Sequence, residues 1–557
     1  FTQSGGGAVS LGADITTVDN NISIGGALTL LADTSTATAA SQTIELSTGA
    51  GAGNIQVASI SGTNAGVNNS LNLISGTGTT TVSGAISGIT LLGLQDTSAT
   101  GAVSLQGGVT VNEISTAAAA YNISLTGGTN DVTQAMEFLN TGDVTLGNAN
   151  TDSFLFRGGL TAITQRRVNI EGKVQVAGSS TIDLGTGTHA SNEGVFVFGT
   201  SQIGGSADGS TDGNIDLGAV TLADGASLYL GDLDTASSFG SSAITVDSIS
   251  GTAAGTVSNV TVSTTGTLNV GAIGTDMGTV TLKRTGGVTF TSGLNAQRLV
   301  FADNMAGSGD IIDLQGNVSL GTGLTVGSGA YGITFTGDNN TIAGNTTFAN
   351  TGKVTLGNAT TDVFAFAGGF NFSGDAAIDL AATIRSADGA LDFGAGNLTL
   401  LASSSVDATN GGVTTDGAAL TFDGVVSDGA SDFTFTVNAG TNTATFSNNI
   451  SVADLITTAN AYSLSLTGSS NTFVNDIDFL NTGTVTLGDA ATDVFTFGTG
   501  VAFTGDAAVN LGAEIRSSAD SIDFGDGTVT LVANTIVDTT NNDEVASAAG
   551  NTIRFGG

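Results

Sequence analysis

One phrase recurs three times in this chain and limits its fold more than any other feature. It reads FLNTGDVTLGNANTDSFLF at 138–156, FANTGKVTLGNATTDVFAF at 348–366 and FLNTGTVTLGDAATDVFTF at 479–497. A tyrosine precedes each copy at the same spacing, namely Tyr121, Tyr331 and Tyr462. Repeats that preserve their internal spacing are typical of stacked architectures, in which each unit packs on the next.

The similarity extends beyond this phrase and organises the whole chain. Related segments lie near 121–200, 331–424 and 462–557, and the offset between the last two is constant, 131 residues from Arg385 to Arg516. Segment 1–35 resembles 503–534, so we expect the chain to open, and also to close, in mid-repeat. We therefore predict one continuous solenoid over 1–557, because a repeat that grows in one dimension escapes the size limit of a single compact core.

Composition and short-range patterning favour strands joined by tight turns. The chain has 84 Gly and no Pro, Cys or Trp. Gly, Asn and Asp suit turns because they tolerate positive φ or bond their own backbone, whereas proline would remove a donor from a strand with neighbours on both sides. Triplets such as Val354-Thr355-Leu356 and Leu398-Thr399-Leu400 indicate short strands with one apolar face.

The spacing of these triplets predicts the fold class. They return after about 20 to 24 residues, the length of one rung of a parallel β-helix, and the offset of 131 residues then divides into six turns of roughly 22. We predict an all-β fold, a single long parallel β-helix (β-solenoid) with about 20–24 residues per rung and few or no helices. An array of antiparallel β-sandwiches is the competing architecture, but it would need linkers between repeats of about 100 residues.

Charge excludes several classes of partner. The formal net charge is −37, which argues against binding to nucleic acid or to an anionic membrane surface. Only 11% of residues are charged, so hydroxyl and amide groups must form most of the surface. No apolar run approaches the ~18 residues that a membrane-spanning helix needs, and we expect a chain that does not span a membrane.

The recurring phrase invites a functional interpretation, but its residues fit structural roles. The glycines are expected in turns, and the Val and Leu that follow them are expected as pairs in the core. These repeat positions are Gly142, Val144, Leu146, Gly352, Val354, Leu356, Gly483, Val485 and Leu487. Asp152, Asp362 and Asp493 could form a ligand ladder, but they would lie several rungs apart and could not share one ion, so we interpret them as structural.

Oxygen-rich stretches suggest a weak candidate for a calcium site. Segment 206–216, SADGSTDGNID, supplies Asp208, Asp212 and Asp216, and carboxylates are hard oxygen ligands that suit Ca²⁺. Asx turns explain the same aspartates without a metal. Neither the nonapeptide of calcium β-rolls nor EF-hand spacing is present, and no other cofactor is expected.

Four of the eleven basic residues fall within one short segment, at Arg157, Arg166, Arg167 and Lys173. On an otherwise acidic chain they form a candidate docking patch for an acidic neighbouring copy. The alternative is an ordinary solvated face.

Several rung-like phrases carry a family resemblance. They are GALTLLADTS at 26–35, GAVSLQGGVTV at 101–111, GKVTLGNATTD at 352–362 and GNLTLLASSS at 396–405. In these phrases the chain resembles filamentous-haemagglutinin-like giant exoproteins and autotransporter passenger domains. The resemblance implies secretion by a bacterium with an outer membrane and display as a β-helical rod for adhesion, biofilm formation or cell contact. The chain shows neither the secretion domain nor the membrane anchor of that pattern, so the export route stays open.

The sequence therefore predicts an extracellular structural or adhesive rod without catalytic residues. The alternative is a carbohydrate-binding or carbohydrate-processing β-helix, which usually needs acid–base groups and aromatics in a groove; this chain has one histidine, His189, four Tyr and no Trp. Because neither terminus shows an amphipathic or charged cap, we predict end-to-end stacking into a homo-oligomer or filament. A cell-surface or polysaccharide ligand is the other expected partner.

Overall fold

The computed structural model describes residues 1–31, 43–63, 69–185, 194–206, 213–232, 242–252, 255–302, 309–518, 520–542 and 550–556. Within these ranges there is no helix, and the chain forms a parallel β-solenoid with roughly 24 residues per rung. This confirms the predicted fold class. The chain separates into two compact units, 1–286 and 287–557, and each is described by itself. A single continuous coil over 1–557 stays a prediction.

In the first unit, successive strands of the chain join three parallel sheets in turn. Sheet 1 contains Thr2–Gln3, Thr79–Val82, Ala102–Leu105, Asn122–Leu125, Val144–Leu146, Val168–Ile170 and Val195–Val197. Sheet 2 contains Val9–Leu11, Thr129–Val132, Ser153–Phe156, Lys173–Val176, Thr200–Ser206, Ser227–Gly231, Ser258–Ser263 and Met277–Arg284. Sheet 3 contains Ile15–Thr16, Thr43–Ser47, Ser70–Ile74, Met136–Glu137, Leu160–Thr161 and Ile182–Leu184.

Seven longer strands of this unit bend around a corner and belong to two sheets. Sheet 1 continues into sheet 2 through Ile22–Leu30 and Ile55–Gly62, sheet 2 into sheet 3 through Ile86–Leu94 and Val109–Thr116, and sheet 3 into sheet 1 through Ile215–Leu222, Ile244–Gly251 and Leu268–Ile273. Gly26 shows why such a corner needs glycine, because a Cβ there would lie 2.0 Å from the carbonyl oxygen of Gly7. A backbone this close leaves no room for a side chain.

The second unit also has three parallel sheets, numbered 4 to 6. Sheet 4 contains Val288–Phe290, Ile311–Leu314, Gly332–Phe335, Val354–Leu356, Ile378–Leu380, Leu398–Leu400, Val426–Ser427, Ile450–Val452, Ser470–Phe473, Val494–Phe497, Glu514–Ser517 and Ile536–Asp538. Sheet 5 contains Asn339–Ile342, Val363–Phe366, Thr383–Arg385, Ser404–Asp407, Thr434–Asn438, Asp454–Thr457, Ile477–Asp478, Val501–Ala502, Ile522–Asp523 and Ile553–Arg554. Sheet 6 contains Thr346–Asn350, Phe370–Phe372, Leu391–Asp392, Leu420–Phe422, Thr443–Phe446, Ser463–Leu466, Val485–Leu487, Val509–Leu511 and Val529–Leu531. Leu294–Phe301 and Val318–Gly329 continue from sheet 5 into sheet 6.

The core follows directly from the alternation in the sequence. In each strand one set of side chains points into the coil and the other points to solvent, as the period of two requires. Val354 and Leu356 are fully buried on either side of the half-exposed Thr355. Burial of each such Val, Leu or Phe contributes about 2 kcal/mol to folding. All six predicted core pair residues of the recurring phrase are fully buried.

Phenylalanines form a ladder along the interior of sheet 6. Phe348 and Phe372 stack with ring centroids 4.4 Å apart, Phe393 and Phe422 with 4.7 Å, and Phe422 and Phe446 with 4.4 Å. These spacings are close to the distance between neighbouring strands in a sheet. The register of the sheet therefore places each ring over the ring of the neighbouring strand, and the contacts between stacked rings stabilise that register.

The predicted six turns between the second and third copies of the phrase are wrong. The strand of Val485 comes seventeen strands after that of Val354, not the eighteen that six turns of three strands would need, so the chain makes five turns and two further strands over that interval. Val354 accordingly lies in sheet 4 and Val485 in sheet 6. The reason is that turns differ in length: Val354 pairs with Ile378 after 24 residues, Ile378 with Leu398 after 20, and Leu398 with Val426 after 28.

Candidate functional site

The residues shared by the three phrases meet at a corner of the coil. One turn after each tyrosine, a buried asparagine donates from Nδ2 to the tyrosine carbonyl oxygen. The pairs are Asn140 with Tyr121 at 3.0 Å, Asn350 with Tyr331 at 3.1 Å and Asn481 with Tyr462 at 3.1 Å. The same contact is therefore built three times, and it ties each turn to the one before it.

The glycine of each phrase is required by this close approach. A Cβ on Gly142, Gly352 or Gly483 would lie 2.3, 2.2 or 2.3 Å from the same tyrosine carbonyl oxygen. The three glycines lie in bends, as expected, but none has a positive φ. Their role is to let two backbones touch, not to supply a left-handed conformation.

The tyrosine hydroxyls are also used inside the coil. Tyr331 donates from Oη to the Gly327 carbonyl at 2.7 Å, and Tyr462 donates to the Val437 carbonyl at 2.9 Å. Burial raises the pKa of Tyr462 to about 12 and also raises the pKa of Tyr121. The hydroxyls of Tyr121 and Tyr462 therefore stay protonated near neutral pH and act as hydrogen-bond donors to the backbone.

Each aspartate of the phrase closes the turn that follows the Val-Thr-Leu strand. Oδ2 of Asp362 accepts from the backbone N–H groups of Asn358 at 2.8 Å and Ala359 at 3.1 Å, and Asp152 and Asp493 repeat this pattern in their own copies. All three carboxylates are buried. A buried carboxylate that accepts from two backbone N–H groups, four and three residues before it, holds the turn closed, which supports the structural interpretation over a ligand ladder.

Neither the corner asparagines nor a second set of buried asparagines was predicted from the sequence. Oδ1 of Asn340 accepts from the Val318 N–H at 3.0 Å, while its Nδ2 donates to the Gly337 carbonyl at 2.6 Å. Asn130 and Asn471 make the equivalent bonds in the other copies. The sequence does contain a pattern that could have revealed them. Each copy has an asparagine two residues before an inward Val, Ile or Phe, and the period of two places that asparagine inside the coil as well. Interior amides that bond the backbone of the preceding turn are part of the scaffold.

The structure describes only one of the three calcium candidates. Asp208 and Asp212 lie outside the described residues. Asp216 stands beside Asp183 of the preceding turn and Thr245 of the next, and burial, with the Asp183 charge as a smaller cause, raises the pKa of Asp216. In the described part of the chain, no group of three or more His, Cys, Asp or Glu side chains is placed to hold a metal ion.

The four residues of the candidate docking patch do not lie together. Arg157 follows a strand of sheet 2, Arg166 and Arg167 precede a strand of sheet 1, and Lys173 begins the next strand of sheet 2, so they occupy three different corners. Arg157 forms an ion pair with Asp131 at 2.7 Å, and Arg166 forms one with Asp143.

Arg167 lies over the ring of Phe196, 4.8 Å from its centroid. The three arginines of this segment therefore contact acidic or aromatic groups of neighbouring turns.

His189 lies outside the described residues, and no helix within those residues is long and apolar enough to cross a membrane. The contacts that recur in the three copies are therefore the corner contacts of Tyr, Asn and Gly, and they join the backbones of successive turns. No family model, curated protein or solved structure is significantly similar to this chain.

Proposed function

We propose that the chain is an extracellular structural or adhesive rod of a bacterial cell surface and has no catalytic role. In this proposal the repeated coil itself performs the function, and its outer surface makes the contacts with other cells or materials. The protein would be a segment or subunit of a surface fibre.

The observation that carries the proposal is the use made of the shared residues. Tyr331, Asn350, Gly352 and Asp362 all bond or contact the backbone of the coil. The other copies repeat the Asn, Gly and Asp contacts, and their tyrosine hydroxyls also donate to backbone carbonyls. Selection for a repeated reaction site would instead leave shared polar groups directed at solvent. A phrase whose shared polar residues support the backbone favours a scaffold.

The outer surface and the family resemblance add support for an extracellular location. Outward positions of sheet 4 are mostly hydroxyl groups in register, with Thr334 beside Thr355 and Ser427 beside Ser451, and Asp379 is a charged exception beside Thr355. Such a neutral polar coat with few charges suits a wall-like or matrix-like surface. Zero Cys fits an exported chain that folds without disulfides.

Immunogold labelling of cells that make the protein tests its location. An antibody against the purified chain should label the outer surface and any fibres that extend from it. Label confined to the cell interior would overturn the proposal.

A carbohydrate-processing β-helix is the alternative, and a product assay separates it from a non-catalytic rod. Purified chain is incubated with neutral and acidic polysaccharides, and new reducing ends or unsaturated products are measured. We expect none, and turnover that follows the purified chain would contradict the non-catalytic part of the proposal.

Two further predictions belong to the same proposal. End-to-end stacking of copies is tested by electron microscopy, in which isolated particles of a single length would contradict it. Calcium binding is tested by comparing thermal unfolding with calcium and with a chelator, and an unchanged midpoint would remove Asp216 from consideration.

A further inference from the structure

The outer face of sheet 2 in the first unit contains a hollow of about 440 Å³. Tyr229, Asp232, Thr261 and Lys283 line it together with Thr200. This volume is typical of small-molecule sites, which combine an apolar or aromatic wall with a few polar groups. We propose that the hollow binds a neutral saccharide.

Tyr229 distinguishes this place from the other tyrosine positions. Tyr121, Tyr331 and Tyr462 are fully buried, whereas Tyr229 is half-exposed between the buried Leu228 and Leu230. The alternation therefore directs its ring outward from the sheet. An outward aromatic ring offers a flat apolar face for the C–H side of a sugar ring, and its hydroxyl can bond a sugar hydroxyl.

The strand that carries Tyr229 is held in place by hydrogen bonds from the neighbouring turn. Gln202 pairs with Tyr229 in register, and Thr261 pairs with it on the other side. Nε2 of the buried Gln202 donates to the carbonyls of Gly204 at 3.0 Å and Gly231 at 2.9 Å. Preorganised walls lower the entropic cost of binding a ligand.

The charges favour a neutral ligand. Asp232 and Lys283 are the two charged residues among the described lining residues, and their opposite signs mean that neither sign of charge dominates the lining. The chain as a whole carries a formal charge of −37 and repels polyanions. A neutral oligosaccharide matches both facts better than a uronate or a phosphate.

A second hollow in the same unit provides the internal control. It has nearly the same size, about 420 Å³, and is lined by Ser23, Gln56 and Ser83 among uncharged, non-aromatic residues. The two hollows therefore do not differ in size. They differ in that only the first is lined by an aromatic ring and by two residues of opposite charge, among the described residues.

The inference rests on the proposed adhesive role only for its biological use, because binding is measured on the isolated chain. Neutral β-1,4-glucan and α-mannan oligosaccharides, and an anionic oligogalacturonate, are titrated calorimetrically. We expect at least one neutral oligosaccharide to bind with Kd of about 1 mM or tighter. Tyr229→Ala should weaken it about tenfold, while Tyr229→Phe, which keeps the ring, should stay within about threefold.

Gln56→Ala, in the control hollow, should leave binding unchanged. Absence of binding by every neutral oligosaccharide, a preference for the anionic one, or equal binding by native chain and Tyr229→Ala would each overturn the inference. Circular dichroism of the variants excludes unfolding as the cause of a loss. Surface labelling is independent of these results, so failure of the saccharide site and failure of the rod proposal are distinguishable.

Discussion

The second and third copies of the recurring phrase, at 348–366 and 479–497, have nearly the same sequence but occupy different sides of the coil. In the second copy the chain passes from sheet 6 through sheet 4 into sheet 5, and in the third from sheet 5 through sheet 6 into sheet 4. The corner contacts are nevertheless the same in both. The phrase therefore encodes a strand, a corner and the next strand, and the same sequence can fold at different corners of the coil.

This comparison explains how such a chain tolerates unequal repeats. A duplication that does not span a whole number of turns moves each strand to a different sheet. It would disrupt the core of a coil in which each sheet required its own kind of inward side chain. Here most inward side chains are aliphatic or aromatic on all three sides of the second unit, and the inward amides of Asn340 and Asn471 bond the backbone. Interchangeable sides leave the outward residues free to vary.

The largest test concerns the last phenylalanine of each phrase. Phe366 and Phe497 are both fully buried, but Phe366 packs edge-on against Phe370 at 5.0 Å, whereas Phe497 stacks on Phe473 at 5.2 Å. Each Phe→Ala change should lower the free energy of unfolding by about 4 kcal/mol, because a cavity is left in the core. Denaturant unfolding measures this. If only one of the two variants is destabilised, the sides are not interchangeable.

The next effect concerns the corner glycines. Gly352→Ala and Gly483→Ala each place a Cβ at 2.2–2.3 Å from a tyrosine carbonyl oxygen, so the turns must separate. We expect each to cost about 3 kcal/mol, at the upper end of overpacking effects. Gly321→Ala is the matched control, because its Cβ would approach no atom closer than 3.8 Å. A loss in the control equal to the loss at the corners would contradict the close-contact explanation.

A smaller difference is expected at the corner asparagines. Nδ2 of Asn350 makes a second bond to the Gly352 carbonyl at 2.8 Å, but the equivalent bond from Asn481 to Gly483 is 3.4 Å long. Alanine at either position leaves a buried carbonyl unpaired and should cost about 2 kcal/mol, with the larger loss at Asn350. Unfolding midpoints of both variants are compared with that of Asn339→Ala, an exposed position. A larger loss at Asn481 would reverse the expected order.

The sequence predicts the strands of this fold better than their assembly. Alternation was enough to place Val354 and Leu356 in the core, because the inward or outward direction of a side chain is a local property. The side of the coil was not predictable from the repeat, because it depends on the summed lengths of intervening turns, such as the 28 residues from Leu398 to Val426.

The same distinction applies to the candidate sites. Residues close in sequence, from Arg157 to Lys173, separate to different corners. Tyr229 and Lys283, far apart in sequence, come to one hollow because their strands share a sheet. Sites formed between turns can be recognised only when the register is known.

The smallest effect concerns the tyrosine that precedes each phrase. Tyr462→Phe removes a donor to the Val437 carbonyl and should cost about 1 kcal/mol near neutral pH. Burial raises the pKa of Tyr462 from 10.0 to about 12, so the folded state favours the protonated hydroxyl. The stability that this preference contributes is fully present below pH 10.0 and is lost as the pH rises through about 12.

The native chain should therefore lose more stability over that pH interval than Tyr462→Phe does, as measured by denaturant midpoints at each pH. Tyr331→Phe extends the comparison to the second copy, where Oη donates to Gly327 at 2.7 Å on another side of the coil. Equal neutral-pH losses at both tyrosines would support the equivalence of the sides. Parallel pH profiles for native chain and Tyr462→Phe would show instead that general charge repulsion governs alkaline unfolding, since a chain of this net charge gains further negative charge wherever its tyrosines ionise.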